Sequence, residues 1–110
     1  MKSLFGFAGL ATAVVMLGIG AFPAKAAADA EKGKEVFEQC AVCHNADSTE
    51  KKMGPGLKGL YKKAKLVNGK PVNDANVKAL INAGGNGMPA YADMLSDAER
   101  ADVIAYLKTL

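Results

Sequence analysis

Apolar side chains recur at helical spacing in three segments of the chain, and no stretch alternates strongly enough to predict a β-strand. The first segment, residues 30–42, carries four apolar residues on one face: Val36, Phe37, Cys40 and Ala41. Gly33 lies one turn before Phe37 on that face. Because glycine inside a helix costs roughly 1 kcal/mol relative to alanine, we expect another backbone to approach Gly33 closely.

The other two helical segments lie in the second half of the chain. Residues 74–83 carry Val77, Leu80 and Ile81 on one face, with Asn73 or Asp74 as the N-cap and Gly84-Gly85 as the stop. The last segment opens with a Ser96–Glu99 capping box and continues with a helical stripe of four residues: Val103, Tyr106, Leu107 and Leu110. The pattern predicts an all-α fold with long loops at 44–73 and 84–95. Loops of that length in so small a domain indicate that they wrap around something.

The first 26 residues are typical of an export signal. Lys2 provides the positive start, an uncharged apolar stretch follows, and the sequence AKA at 24–26 has small residues where a signal peptidase reads. We predict a signal peptide at residues 1–26, with cleavage after Ala28 as the second choice, and a single domain at residues 27–110. The alternative is an uncleaved leader that tethers the protein to the membrane, because the apolar run is nearly long enough to span a bilayer.

The composition of residues 27–110 limits what the domain does. Twelve basic side chains face eleven acidic ones, a net charge of about +1, so the domain is not a nucleic-acid binder. It has no tryptophan, and Phe37 is its only phenylalanine. A domain this short buries little core by itself and usually needs a disulfide, a metal or a cofactor. We therefore expect a group other than protein to fill its interior.

The only two cysteines and the only histidine lie within five consecutive positions, Cys40-Ala-Val-Cys43-His44. This spacing is typical of covalent haem attachment, because two thiols about one helical turn apart can add to two vinyl groups of a porphyrin while the histidine ligates the iron. We predict one haem c bound through thioethers to Cys40 and Cys43, with His44 as the proximal iron ligand. Three alternatives are less favoured: a disulfide would cross-link almost nothing, a thioredoxin-like pair follows a strand, and a structural zinc site needs four ligands.

The second axial position of such an iron has no second histidine to fill it. Methionine, lysine, tyrosine or water remain, and the domain has three methionines: Met53, Met88 and Met94. Met88 is favoured because Gly84, Gly85 and Gly87 permit tight turns beside it and Pro89 holds it extended. We expect Met94 to fill the core, and Met53 is only nine residues from His44. The alternative is that Met88 is a core or loop residue and that the second axial position of the iron stays open.

With these motifs the domain resembles a class I cytochrome c of the short single-haem bacterial type. EKGKEVFEQCAVCHN (31–45) is similar to that family's first helix and haem motif, and MGPGLKGLY (53–61) to the segment that follows on the proximal side. GMPAYADMLSDAERADVIAYLKTL (87–110) resembles its methionine loop and terminal helix. The resemblance implies three main helices and loops around one covalently bound haem, with Met88 as the distal ligand.

The resemblance also implies contacts for individual residues. The Pro55 carbonyl accepts the N–H of the proximal imidazole, and Gly33 and Phe37 pack against Val103 and Tyr106. The tryptophan that serves a haem propionate in mitochondrial members is missing, so Tyr61, Tyr91 and lysines are the candidates for that role.

The function that the resemblance implies is periplasmic electron transfer, with iron cycling between Fe(II) and Fe(III) under His/Met ligation, and not enzymatic catalysis. The implied partners are redox proteins, such as a membrane complex, an oxidase or a reductase, which dock transiently at the haem edge of a monomer without stable membrane insertion. Lysines concentrated between residues 51 and 70 could steer acidic partners. The alternative is a haem-based ligand sensor or small peroxidase-like protein with an open distal site, but the only histidine is already assigned and Arg100 is the only arginine.

Overall fold

The computed structural model describes residues 27–110, and the signal peptide predicted at residues 1–26 lies outside them. The described residues form three α-helices, α1 (Ala30–Phe37), α2 (Asp74–Ala83) and α3 (Asp97–Leu107), with a short 3₁₀ helix at Leu60–Lys62. Residues 27–110 contain no strand beyond two isolated bridges, which confirms the all-α prediction. Within the same residues, no helix has the length and hydropathy needed to cross a membrane.

Helices α2 and α3 begin at the caps that the sequence predicts. The Asn73 side chain accepts the Asn76 amide at the start of α2. At the start of α3, the Ser96 hydroxyl accepts the Glu99 amide at 3.1 Å and the Glu99 carboxylate accepts the Ser96 amide at 2.9 Å, the two bonds of a capping box. The predicted starts of both helices and the end of α2 at Ala83 are therefore confirmed, whereas α3 ends at Leu107, before the Leu110 of the predicted stripe.

Helix α1 is shorter than the predicted segment of residues 30–42. It begins with the Asp29 carboxylate accepting the amides of Glu31 and Lys32, and it ends at Phe37. The amides of Cys40 and Ala41 both donate to the Phe37 carbonyl, at 2.7 and 2.9 Å, so the chain tightens into successive turns. The apolar spacing continues through these turns, and the prediction was wrong about where the regular helix ends.

Helices α1 and α3 pack together at Gly33, where the two backbones nearly touch. A Cβ atom on Gly33 would lie 1.9 Å from the Asp102 carbonyl oxygen and 2.9 Å from the Tyr106 Cβ. One turn later the Phe37 and Tyr106 rings are 5.3 Å apart between centroids and tilted by 52°. The expected close approach at Gly33, and its packing against Tyr106, are confirmed.

The buried core is small and is surrounded by partly exposed apolar side chains. Its cluster has six members: Phe37, Leu66, Val77, Val103, Ile104 and Leu107. Cys40, Leu57, Leu80 and Ile81 are among the half-buried apolar residues packed against it. None of the described side chains is less than 2% exposed, so each of them keeps some surface for a further contact.

Candidate functional site

The cysteine–histidine segment forms consecutive tight turns directly after α1. The amides of Cys43 and His44 both donate to the Cys40 carbonyl, at 3.1 and 2.9 Å, which places the two thiols and the imidazole on adjacent turns. Both cysteines are free thiols, and both are half-buried. Burial, and then the neighbouring Cys43, raise the pKa of the Cys40 thiol. The segment thus offers two thiols at the spacing that thioether formation needs.

The His44 ring is oriented by the loop that follows it. Its Nδ1 atom lies 2.8 Å from the Pro55 carbonyl oxygen, and because that oxygen can only accept, Nδ1 donates the hydrogen. The other ring nitrogen, Nε2, then keeps its lone pair for a metal. The contact predicted between His44 and the Pro55 carbonyl is confirmed.

Gly54 is a residue of this site that the sequence reasoning missed. A Cβ atom on Gly54 would lie 2.4 Å from the His44 Cε1 atom and 2.8 Å from its Nδ1 atom. The imidazole therefore lies flat against the Gly54 backbone, and only glycine leaves room for it. The two glycines in the sequence MGPG were the available signal, because glycine has no Cβ atom and therefore allows another group to approach the backbone closely.

Met88 lies in the second long loop, immediately after a two-residue turn. Gly85 and Met88 exchange backbone hydrogen bonds, each of 3.0 Å, and between them Asn86 and Gly87 both have positive φ, at 53° and 91°. Positive φ at both central residues is typical of a type I′ turn, for which Asn-Gly is the preferred pair. The Met88 side chain is half-buried. The glycines thus do what the sequence predicted, which is to fold a tight turn beside Met88.

Tyr91 anchors the Met88 loop. Its side chain is buried, and its pKa is raised by that burial and then by the charges of Cys40 and Cys43. Its amide donates to the Ile81 carbonyl at 3.0 Å, which ties the loop to the last turn of α2. The burial of Tyr91 and its hydrogen bond to α2 thus anchor the loop that carries Met88.

The other two methionines are exposed. Met53 is 81% exposed, and its Sδ atom lies 3.9 Å from the Cys43 Sγ atom, on the outside of the cysteine segment. Met94 is 59% exposed, so the expectation that it fills the core was wrong. Its neighbour Leu95 is buried instead, because the turn at residues 92–94 directs Leu95 inward.

The residues of this site fit a haem. The donor set pairs two free thiols with an imidazole whose Nε2 atom carries a lone pair, and Cys40 packs against the same core as half-buried apolar side chains such as Leu57 and Leu80. A porphyrin is a flat apolar ring, so it suits apolar side chains that still have surface to bury. The described residues contain no group of three or more His, Cys, Asp or Glu side chains able to hold a metal ion, which disfavours the zinc alternative.

Tyr61, one of the candidates for a haem propionate, has a different partner in the structure. Its hydroxyl donates to the Asp74 Oδ1 atom at 3.0 Å, and Lys108 Nζ contacts Asp74 Oδ2 at 2.7 Å. Lys108 Nζ also lies 5.8 Å from the centre of the Tyr61 ring. These three side chains join the first long loop to α2 and α3.

Positive charge is concentrated beside the cysteine segment. All seven lysines between residues 51 and 70 are exposed, and no acidic residue lies among them: Lys51, Lys52, Lys58, Lys62, Lys63, Lys65 and Lys70. Lys52 Nζ donates to the Ala41 carbonyl at 3.1 Å, so this lysine segment begins directly against the Cys40–Cys43 turn.

Known proteins resemble this chain in sequence and in structure. The family model described as "Cytochrome c" matches residues 30–110. The chain is 35% identical over 92 residues to cytochrome c2 iso-1 of Magnetospirillum molischianum, an alignment of 67% of this chain and 92% of the relative. It is 37% identical over 81 residues to cytochrome c6 of Leptolyngbya boryana, with 73% and 91% covered. The solved structure of cytochrome c6 from the diatom Phaeodactylum tricornutum superposes with a TM-score of 0.59 at 26% identity, over 74% of this chain and 92% of that one.

Proposed function

The chain belongs to the cytochrome c family, and we propose that it is a periplasmic electron carrier in which His44 and Met88 hold the iron of one haem c. Membership makes it a single-haem electron-transfer protein. When bound, the haem supplies an iron that alternates between Fe(II) and Fe(III). The residues around it attach the group, fix the ligands and exclude water.

The observation that carries the proposal is the 2.8 Å hydrogen bond from His44 Nδ1 to the Pro55 carbonyl oxygen. This bond selects the tautomer whose Nε2 atom can ligate iron, and it makes that nitrogen more basic. Cys40 and Cys43, on the turn before His44, are the residues we assign to the two thioether bonds.

We assign Met88 to the distal position. A type I′ turn precedes Met88 and Pro89 follows it, which favours an extended backbone at Met88, and the residue is half-buried. A thioether is a neutral ligand that favours Fe(II), so it raises the reduction potential. If His44 and Met88 both hold the iron, they would keep substrates from it, and the protein would act as a carrier and not as a catalyst.

Export and transient docking complete the proposal. The signal-like residues 1–26 support a periplasmic location. The exposed lysine segment, residues 51–70, supports acidic redox partners, because complementary charge speeds encounter without requiring a long-lived complex. Its start at Lys52 lies against the Cys40–Cys43 turn, so a partner drawn to the lysines arrives beside the thioether edge of the haem.

Replacing Met88 with alanine tests the distal assignment. We expect the haem-loaded M88A protein to lose the weak red absorption band of sulfur-ligated Fe(III), to bind CO when reduced, and to have a lower potential. Met94→Ala is the matched control, because Met94 is 59% exposed and outside the proposed ligand set. An M88A protein with the wild-type spectrum would contradict the assignment.

A further inference from the structure

Arg100 is the only charged residue that is buried among residues 27–110, with 4% of its surface exposed. It lies in the first turn of α3, one helical turn before Val103 on the buried face. A buried cation is costly unless its donors are paired, so its partners indicate what it holds in place.

Two of those partners are backbone carbonyls in the segment that follows Met88. Nη2 of Arg100 donates to the Ala92 oxygen at 3.0 Å and to the Leu95 oxygen at 2.9 Å. Its Nη1 donates to Asp97 at 2.7 Å, but the Asp97 side chain is 94% exposed and this pair adds little. Both bonds to the carbonyls are charge-assisted, and the one to Leu95 is buried.

These bonds close the base of the Met88 loop. On the opposite side, the amides of Tyr91 and Ala92 donate to the carbonyls of Ile81 and Asn82 in α2, at 3.0 and 3.3 Å. The peptide groups around Ala92 are therefore held by α2 on one side and by Arg100 on the other. At the tip of the loop, a Cβ atom at Gly85 or Gly87 would meet no described atom within 4 Å, whereas one at Gly84 would lie 2.4 Å from the Met88 carbonyl oxygen.

We propose that Arg100 is a positioning residue for the distal ligand: by fixing the base of the loop, it determines how readily Met88 leaves the iron. This inference rests on the proposed function, in which Met88 is that ligand. Because the Met88 loop is joined to the rest of the protein at this base, movement of Met88 depends on the base, which the Arg100 bonds help to hold. Loss of even one charge-assisted hydrogen bond would change the equilibrium between iron-bound and released Met88 by about tenfold or more.

The test is the binding of imidazole to the ferric haem-loaded protein, because an external ligand binds only when Met88 has left. The variants are Arg100→Met, which keeps the bulk without the donors, and Arg100→Lys, which keeps the charge with a single donor group. Val103→Ala is the matched control, since it removes core volume one turn later on the buried face of α3 and leaves the Arg100 hydrogen bonds in place. Asp97→Asn isolates the exposed ion pair.

We expect R100M to bind imidazole more tightly than the wild type by a factor of about ten or more, and R100K to have an affinity between those two. The affinities of V103A and D97N should stay within about twofold of the wild-type value. Both R100M and V103A should melt earlier than the wild type, so melting alone does not separate them. If R100M accumulates poorly with haem, R100K carries the comparison. Wild-type affinity in the Arg100 variants, or an equal gain in V103A, would overturn the proposal. A wild type without the red sulfur band would instead refute Met88 ligation, and with it this inference.

Discussion

Replacing Gly33 with alanine is expected to destabilise the haem-loaded protein, although alanine is the better helix former. The added Cβ atom would lie 1.9 Å from the Asp102 carbonyl oxygen, 2.5 Å from the carbonyl carbon and 2.9 Å from the Tyr106 Cβ. Because two of these three atoms belong to the α3 backbone, no side-chain rotation can relieve the contact. Helices α1 and α3 would have to separate by about 1.5 Å to restore ordinary van der Waals distance.

The size of the effect follows from two opposing contributions. Overpacking costs about 1–3 kcal/mol, and a clash with backbone belongs at the upper end of that range. The higher helix propensity of alanine relative to glycine offsets about 1 kcal/mol of that cost. The net loss of about 2 kcal/mol corresponds to a fall in Tm of about 8–16 °C for a domain of this size.

Thermal unfolding of the haem-loaded protein, followed by far-UV circular dichroism, measures this loss. Lys34→Ala is the control, because Lys34 is the exposed neighbour of Gly33 in the same helix and its replacement should change stability by less than about 0.5 kcal/mol. A Gly33→Ala protein that melts within about 2 °C of the Lys34→Ala protein would refute the close packing of α1 on α3.

Three further predictions concern the site and its surroundings. Gly54→Ala should displace the His44 ring, since the new Cβ would lie 2.4 Å from its Cε1 atom, and a high-spin fraction should appear in the ferric absorption spectrum; a purely low-spin spectrum would contradict this. Burial and the hydrogen bond to Asp74 raise the pKa of Tyr61, so the stability that its protonated form contributes is complete below about pH 10 and is lost as pH rises toward the higher folded pKa. Tm should accordingly fall less steeply above pH 10 in Tyr61→Phe, and identical profiles would refute the linkage. Electron transfer to an acidic partner should slow as salt rises if the lysine segment 51–70 steers docking, whereas a rate independent of salt would exclude steering.

Local signals in the sequence predicted much of this fold. Helices α2 and α3 begin where Asn73 and Ser96 accept backbone amides, and such caps are visible in the sequence because they act within three or four residues. The end of α1 was misjudged because Cys40 and Ala41 keep the apolar spacing while their amides share one carbonyl. Whether Leu95 or Met94 is buried depends on how the preceding turn orients successive side chains, and hydrophobicity alone does not determine that orientation.

Contacts between distant segments were harder to predict. Asp74 forms an ion pair with Lys108 and accepts a hydrogen bond from the Tyr61 hydroxyl. These residues lie far apart in the chain, so no local sequence pattern predicts the contacts. The burial of Arg100 had a weak signal, since it lies one turn before Val103 on the apolar face of α3. A charged residue on such a face is usually exposed, so its role follows only from the two carbonyls that it contacts.

The absorption spectrum of the purified haem-loaded wild type, oxidised and then reduced with CO added, tests the central claim most directly. The account predicts a low-spin c-type spectrum, the weak red band of sulfur-ligated Fe(III), and no response of the reduced protein to CO, because His44 and Met88 fill both axial positions. A high-spin spectrum, or a shift on adding CO, would contradict it by showing an iron that external ligands can reach.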